Sequence, residues 1–403
     1  MSVDPLKDKK IILGVTGGIA AYKSALIIRK LVSRGAEVRV LMTPSALQFI
    51  TPLTLSTLSK NRVIINTFPP NQSEGTDYST WHIDYGMWAD LMLIAPATVN
   101  TIAKISAGFA DNALTTVVSA LRSPLIIAPA ADMDMYNNKI NRENIRRLEE
   151  NGTFIVEAEE GFLASGLLGA GRMADVQKIV DSVELVVNGY TKDLSEKNIL
   201  VTAGPSYEDI DPVRFIGNRS SGKMGYAIAK AAYLRGANVT LISGPSSEKI
   251  YPEIELIRKR SAAEIKEAVT ETIVANEILI MAAAIADYKP AEFKQSKIKK
   301  ENKLGSIELK ETDDILSSLK REGKTIVGFA LETDDLVNNA KKKLRNKNLD
   351  LIAANSSSET EKAFEEDTNK ITILGKGNYR KDYPKMSKFQ AANKILSEIK
   401  QLL

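Results

Sequence analysis

An apolar run from Ile11 to Val15 breaks at Thr16-Gly17-Gly18 and gives way to helical spacing from Ala20 to about Ser33. Arg34-Gly35 stops that helix, and Val38-Arg39-Val40-Leu41-Met42 reads as the next strand. The start of the chain therefore predicts a strand–helix–strand unit. Leu91 to Ala95, Leu125 to Ala128 and Thr153 to Val156 read as further buried strands with helical stretches between them. A helix from Val176 to Asn188 closes this half, and the polar stretch Gly189 to Asn198 is the best linker. The same grammar then restarts. Ile199 to Thr202 leads through a long loop to a helix near Ser220-Ser221, which stops at Arg235-Gly236 before the strand Val239 to Ile242. The stretches Ser33 to Ser45 and Leu234 to Ser246 are visibly parallel in sequence. Later strands are expected at Ile278 to Ala283, Ile326 to Ala330, Leu351 to Ala354 and Ile371 to Leu374, with a last helix near Lys388 to Leu402. Strands alternating with helices predict two doubly wound α/β domains on parallel sheets, 1–189 and 190–403.

Composition narrows the classes. The 403 residues include no cysteine, which excludes disulfides, Cys-based zinc sites and a cysteine nucleophile. Lys and Arg total 54 against 50 Asp and Glu, a net charge of +4 with both signs interspersed, so no nucleic-acid partner is expected. Met1 to Lys10 has no apolar leader. The longest apolar run, Ile278 to Ala286, falls far short of the roughly 20 residues that span a membrane. A cytoplasmic protein with no membrane partner is the expectation.

Candidate chemistry in the first half sits at strand ends. Gly14, Gly17 and Gly18 end the first strand ahead of a helix, where backbone N–H groups and the helix dipole can hold a phosphate. The second strand runs into Thr43-Pro44-Ser45, hydroxyls with no ribose-binding acid, so a mononucleotide such as FMN fits better than a dinucleotide. His82 is the lone histidine and the natural general base if it lines a cleft; the alternative is a purely structural imidazole. Pro96-Ala97-Thr98-Val99-Asn100-Thr101 follows the strand ending at Ala95, the right end of an open sheet for a ligand, though Thr98 or Asn100 is equally a plain helix cap. Pro129 to Tyr136, with Asp132 and Met133, occupies the equivalent place after the next strand.

These motifs resemble those of the flavin-dependent phosphopantothenoylcysteine decarboxylases, which carry P-A-S-A-N-T, P-A-M-N-x-x-M-W and an active-site histidine. The resemblance implies a flavodoxin-like domain. It implies FMN on Gly17, Gly18, Thr43, Ser45, Pro96, Thr98 and Asn100, with His82 as base and Asp132, Met133 and Arg172 toward the substrate. In that family FMN oxidises the cysteinyl thiol to a thioaldehyde, carbon dioxide is lost, and the hydride is returned. Two positions depart from the pattern. Asp132 stands where the family has the Asn that helps bind the substrate carboxylate, and an ionised Asp there repels it. In the flap, Leu163 to Met173, Ser165 stands where the family has its proton-donating Cys, and a hydroxyl is several pK units less acidic. Those departures keep open a rival reading, a flavin-binding regulatory module fused to a working second half.

In the second half, Gly204 to Gly225 is long, polar and glycine-rich ahead of a helix. Gly217 to Lys223 mimics a P-loop, but Met224 replaces the metal-binding Ser/Thr and no strand directly precedes the loop in the sequence pattern. An anion site capped by serines and flanked by Arg214 and Asn218 remains. Lys294, Lys297, Lys299, Lys300 and Lys303 crowd a stretch that is either a solvated face or a cationic loop over a triphosphate. Phe329 packs on a base or in the core, and Lys343 and Lys347 share one helix face. This half resembles phosphopantothenate–cysteine ligase, with a Rossmann-like fold. There an acyl-cytidylate forms from phosphopantothenate and CTP with Mg²⁺, and cysteine displaces CMP. The resemblance implies Lys297 for acyl-cytidylate formation and Asn218, beside Arg214, for the acyl intermediate. It places Ala283, Asp287, Lys297, Asp313, Asp314, Ile315, Leu316, Phe329, Lys343 and Lys347 on CTP. The two halves together resemble the bifunctional coenzyme A biosynthesis proteins, whose partners are small-molecule substrates and whose state is a homo-oligomer.

Overall fold

The computed structural model describes residues 4–68, 80–299, 306–319, 321–332, 335–356 and 368–403. The chain divides into two compact units, Asp4–Thr191 and Lys192–Leu403.

The N-terminal unit is built on β1 (Lys10–Val15), α1 (Tyr22–Ser33), β2 (Glu37–Met42), α2 (Pro52–Ser59), β3 (Val63–Ile64), α3 (Trp81–Trp88), β4 (Leu91–Ala97), α4 (Val99–Ser106), α5 (Ala113–Ala120), β5 (Leu125–Pro129), α6 (Met133–Asn137), α7 (Lys139–Glu150), β6 (Phe154–Ile155) and α8 (Val176–Val187). A hairpin of β7 (Glu159–Phe162) and β8 (Leu168–Arg172) precedes α8. Its central sheet runs β3-β2-β1-β4-β5-β6, all parallel. The winding reverses between β1 and β4, the place at the carboxyl edge where open sheets of this kind hold their ligands. Ile12, Leu41, Met92, Ile94 and Ile127 of the sheet pack with Leu114, Val117, Ile145 and Leu148 of the helices. The strand expected over Thr153 to Val156 contracts to two residues, because the edge position gives it one partner only.

The C-terminal unit repeats that order. Its strands are β9 (Asn198–Ala203), β10 (Tyr207–Asp209), β11 (Phe215–Gly217), β12 (Asn238–Ser243), β13 (Glu255–Arg258), β14 (Ile278–Met281), β15 (Tyr288–Pro290), β16 (Leu309–Glu311), β17 (Thr325–Glu332), β18 (Leu351–Ser356), β19 (Thr368–Asn369), β20 (Ile371–Gly375), β21 (Arg380–Asp382) and β22 (Met386–Ser387). Its helices are α9 (Lys223–Leu234), α10 (Ala262–Thr272), α11 (Leu336–Asn346) and α12 (Lys388–Lys400). The main sheet runs β13-β12-β9-β14-β17-β18-β20-β21. It is parallel as far as β18, but β20 and β21 add antiparallel, a departure from the all-parallel expectation at one edge. The sequence echo between the halves is structural: α1 and α9 both end at an arginine followed by a left-handed glycine, Gly35 (φ 85°) and Gly236 (φ 91°), before β2 and β12. Capping boxes at Ser261/Glu264 and Ser387/Gln390 start α10 and α12.

Between β9 and α9 the chain forms a two-stranded antiparallel ribbon, β10–β11, where the sequence pattern suggests only loop. A strand therefore does directly precede Asn218 to Lys223, correcting that expectation; it belongs to the ribbon and not to the main sheet. The start of α9 is also corrected: its N-cap is Gly222 (φ 83°), not a serine, and the helix begins at Lys223.

Gly244, after β12, lies against the carbonyl of Pro205, after β9, so closely that a Cβ would overlap the oxygen. Gly244→Ala is expected to cost the C-terminal unit about 2–3 kcal/mol, read as an earlier melting transition. Gly108→Ala, whose Cβ meets nothing within 4 Å, should cost no more than the strain of its left-handed backbone, about 1 kcal/mol.

Candidate functional sites at the two sheet edges

In the N-terminal unit the glycine loop, the loop after β2 and the loop after β4 come together. A Cβ on Gly17 would sit 2.5 Å from the Cβ of Ser45, and one on Gly18 would touch Thr98 Cγ2 at 3.6 Å. Thr16 ties the group: its Oγ1 donates to the Pro96 carbonyl at 2.8 Å and accepts from the Thr98 N–H at 3.0 Å. Thr98 caps α4, accepting from Thr101 N–H, and Asn100 lies in the first turn of that helix, exposed. The Thr43 hydroxyl oxygen is buried and has no hydrogen-bond partner among the described residues. A buried, unsatisfied hydroxyl beside a glycine cradle and helix N-termini is a donor set suited to a phosphate.

His82 lies in the first turn of α3, half-buried, its ring edge-on to Trp81 with centroids 5.9 Å apart. The helix beneath it is held firmly. Gly86 packs on the end of α5, where a Cβ would lie 2.5 Å from the Ala120 carbonyl oxygen. The Arg39 guanidinium lies 3.9 Å from the Trp88 ring centroid, a cation–π contact.

The glycine-rich flap is the β7–β8 hairpin. Ser165 sits at its tip, exposed, accepting from the Leu167 N–H at 3.4 Å, while Phe162 and Leu168 show apolar surface to solvent. The base of the hairpin docks on the loop after β5. Gly169 lies on the Met133 side chain and Gly171 (φ 138°) on the Ala131 carbonyl, and Gly171 O accepts from Ala131 N–H at 3.0 Å. Met133 is thus under the hairpin, and Asp132 caps α6 without using its side chain. Arg172 pairs with buried Glu159 at 3.3 Å. Lys23 escaped the sequence reading. From α1 its ammonium donates to the Met173 carbonyl at 2.9 Å. Burial and then the charge of Arg172 hold it below the ordinary lysine value, against Glu159 and Asp175. No motif marks it; only the fold brings α1 to the foot of the flap.

The C-terminal unit contains a cavity of about 630 Å³ at the carboxyl edge of its sheet. Asn218, Ala283, Asp287, Asp313, Asp314, Ile315, Leu316, Phe329, Lys343 and Lys347 all line it, so ten sequence candidates from five separate stretches converge. Ser220 to Gly225, at the start of α9, close one end. Asn218 donates to the carbonyls of Ala284 (3.2 Å) and Ile285 (2.9 Å), fixing the strand-end loop that carries Ala283. Phe329 is half-exposed in the wall, and its carbonyl accepts from Lys343 Nζ at 2.9 Å. Lys347 Nζ lies 3.4 Å from Asp314 Oδ1. Two candidates do not line the cavity: Arg214 and Lys297, the latter exposed on the segment after β15. Lys294 and Lys299 are also exposed on that segment, and Lys300 and Lys303 lie outside the described residues. The sequence reading missed Arg321. Its guanidinium donates to the carbonyls of Leu316 (2.6 Å), Asn348 (2.8 Å) and Lys347, stapling two walls of the cavity together. Among the described residues no cluster of three or more His, Asp or Glu has metal-site geometry, and no helix is long and apolar enough to cross a membrane.

The class of the chain is a flavoprotein domain followed by a domain of pantothenate metabolism. A family model described as Flavoprotein matches residues 2–188, and one described as the DNA/pantothenate metabolism flavoprotein C-terminal domain matches residues 194–403. The chain is 43% identical over 401 residues to the coenzyme A biosynthesis bifunctional protein CoaBC of Bacillus subtilis, with 98% of each chain covered. It is 43% identical over 361 residues to a cysteine/cysteine sulfinic acid decarboxylase from an unknown prokaryotic organism, covering 88% of this chain and 99% of that protein. Among solved structures it is similar to the C-terminal domain of a CoaBC protein, with 36% identity, a TM-score of 0.46, and coverage of 53% of this chain and 98% of that one. The chain belongs to the CoaBC family of bifunctional coenzyme A biosynthesis proteins.

Burial first, and then the like charge of Lys347, hold the Lys343 ammonium below its ordinary value, with Glu332, Asp287 and Asp314 pulling the other way. A polyanion in the cavity would raise it again. Binding of a polyanion there is therefore expected to take up protons as the pH rises through the lowered Lys343 pKa toward about 10.5, and affinity should fall over the same window. Calorimetry in two buffers of different ionisation enthalpy measures the uptake, and Lys343→Met should abolish it.

Proposed function

We propose that this chain performs two successive reactions of coenzyme A biosynthesis. The C-terminal unit joins 4'-phosphopantothenate to cysteine at the expense of CTP, and the N-terminal unit decarboxylates 4'-phosphopantothenoylcysteine to 4'-phosphopantetheine with FMN. The observation that carries the reading is the convergence of the C-terminal candidates on one nucleotide-sized cavity, in a chain that aligns with a CoaBC protein over 98% of its length. The same reading gives a homo-oligomer with small-molecule partners.

In the C-terminal unit the phosphopantothenate carboxylate attacks the α-phosphorus of CTP, pyrophosphate leaves, and an acyl-cytidylate forms; Mg²⁺ carried by the triphosphate would offset charge on the leaving group. The amine of cysteine then attacks the acyl carbon, CMP leaves, and a proton is released. Lys343 and Lys347 supply positive charge from the wall, Phe329 offers a face for the base, and Asn218 keeps the loop of Ala283 in place. Lys297, with Arg214 nearby, neutralises charge that builds on the transferring phosphoryl group, a term worth about 10²- to 10³-fold per donor.

In the N-terminal unit the cradle of Gly17, Gly18, Thr43, Ser45, Pro96, Thr98 and Asn100 fits a flavin mononucleotide, and the buried Thr43 hydroxyl is the donor its phosphate would satisfy. FMN supplies a reversible two-electron oxidant for the substrate thiol. His82 takes the thiol proton on its imidazole. Arg172 offers the carboxylate a cation to set against the charge of Asp132, and Met133 sits beneath the flap that excludes water. Ser165, at the tip of that flap, returns a proton as a weak acid.

Mass spectrometry of products from phosphopantothenate, cysteine, CTP and Mg²⁺ with FMN-replete protein should find phosphopantetheine. Lys297→Gln should slow all product formation by about 100-fold or more, and His82→Ala should stop at phosphopantothenoylcysteine; a wild-type rate in either variant removes that residue's role. Thr43→Val should weaken FMN binding roughly 10- to 100-fold in a fluorescence titration while leaving the melting of the flavin-free protein unchanged. Unaltered binding would exclude Thr43 from the phosphate site.

A further inference from the structure

The segment that carries Lys297 is anchored at three points to one turn, Ile210 to Arg214. Lys294 N–H donates to the Ile210 carbonyl at 3.0 Å. Ile298 N–H donates to Asp211 Oδ2 at 3.2 Å, and Arg214 Nη2 donates back to the Ile298 carbonyl at 3.2 Å. Lys297 lies between the outer two anchors, next to Ile298.

Asp211 is the hub of this arrangement. Its side chain is 0% exposed. One oxygen shapes the turn, accepting from the N–H groups of Val213 (2.8 Å) and Arg214 (2.9 Å). The other oxygen reaches 87 positions along the chain to Ile298 and lies 3.6 Å from Arg214 Nη1. Burial opposes the charge, but the three backbone donors and the guanidinium outweigh it and keep the carboxyl below its usual range. A neutral Asn closes such a turn as well as Asp does, without the desolvation cost of a buried charge. The turn alone therefore leaves the second oxygen unexplained. What that oxygen adds is a fixed distance between the turn bearing Arg214, with Asn218 just beyond, and the backbone of Lys297.

We propose that Asp211 is a positioning residue for the ligase reaction, holding the Lys297 segment against the Arg214 turn so that both cations address the same substrate. This rests on the reading of Lys297 given above. Without the anchor Lys297 remains in the chain but samples a wider arc, and misplacement of a charge-stabilising group costs rate more than affinity.

The test uses the full-length protein. Asp211→Asn preserves the size and one acceptor but turns an amide toward two donors. It is expected to lower kcat for pyrophosphate release about 10- to 100-fold, with KM for CTP within about twofold, and to speed hydrogen exchange at the Ile298 amide. It should have no further effect in a Lys297→Gln background. Ile298→Pro removes the same hydrogen bond from the other side, at a loop position, and should reproduce the loss if Asp211→Asn folds poorly. Asp209→Asn, whose carboxylate pairs with Arg260 instead, should leave kcat unchanged. Wild-type kcat in both Asp211→Asn and Ile298→Pro, with Lys297→Gln inactive, overturns the proposal alone. Full activity of Lys297→Gln overturns the reading of Lys297, and the proposal falls with it.

Discussion

At the carboxyl edge of each sheet, the loop leaving the first strand and the loop leaving the second meet through a glycine. In the N-terminal unit it is Gly17 on Ser45; in the C-terminal unit it is Gly244 on Pro205. No side chain fits at either contact. The loop after the fourth strand, across the point where the winding reverses, is tied to the same place: Thr16 Oγ1 bonds the Pro96 carbonyl and the Thr98 N–H in one unit, and Ala284 N–H donates to the Gly204 carbonyl at 2.8 Å in the other. Part of each candidate site is placed by that arrangement. Thr98 and Asn100 come from the far side of one crevice, Ala283 and Asp287 from the far side of the other.

The two crevices are finished by different means. In the N-terminal unit a hairpin folds over the edge, and its glycines allow contact with the backbone of the loop after β5, so the cover is fitted by shape. In the C-terminal unit the walls are joined by charge. Arg321 gathers carbonyls from two wall segments, Lys343 reaches the Phe329 carbonyl, and Lys266 pairs with Asp313 at 2.9 Å. Carbonyls that would otherwise face a polyanion are thereby turned toward protein cations, which leaves the cavity surface less repulsive to phosphate.

Much of this was legible in the sequence because buried parallel strands read as unbroken apolar runs, and the arginine–glycine stops of α1 and α9 mark the helix ends. The parallel pairing follows from the repeated strand–helix grammar. The short ribbons were not legible. Strands β10, β11, β15 and β16 each have only three residues, too few for a period of two to show. The antiparallel end of the second sheet was hidden as well, since a strand's direction leaves no mark in its composition. Among candidate site residues, those at the functional positions of a family motif were legible. Lys23, Arg321 and Asp211 were not, because each acts through a backbone group of a distant segment and needs the fold to give it a partner.

The hairpin tip has a bearing on the chemical resilience of the protein. Ser165 is exposed at the tip of the flap, and the chain has no thiol anywhere. An enzyme that handles cysteine and a cysteinyl product at high local concentration would otherwise risk exchanging its own sulfur with theirs. Here no mixed disulfide can trap the flap, and no sulfenic acid can form at its tip. The tip of the lid is thereby indifferent to the thiol balance of its surroundings, whatever that balance is.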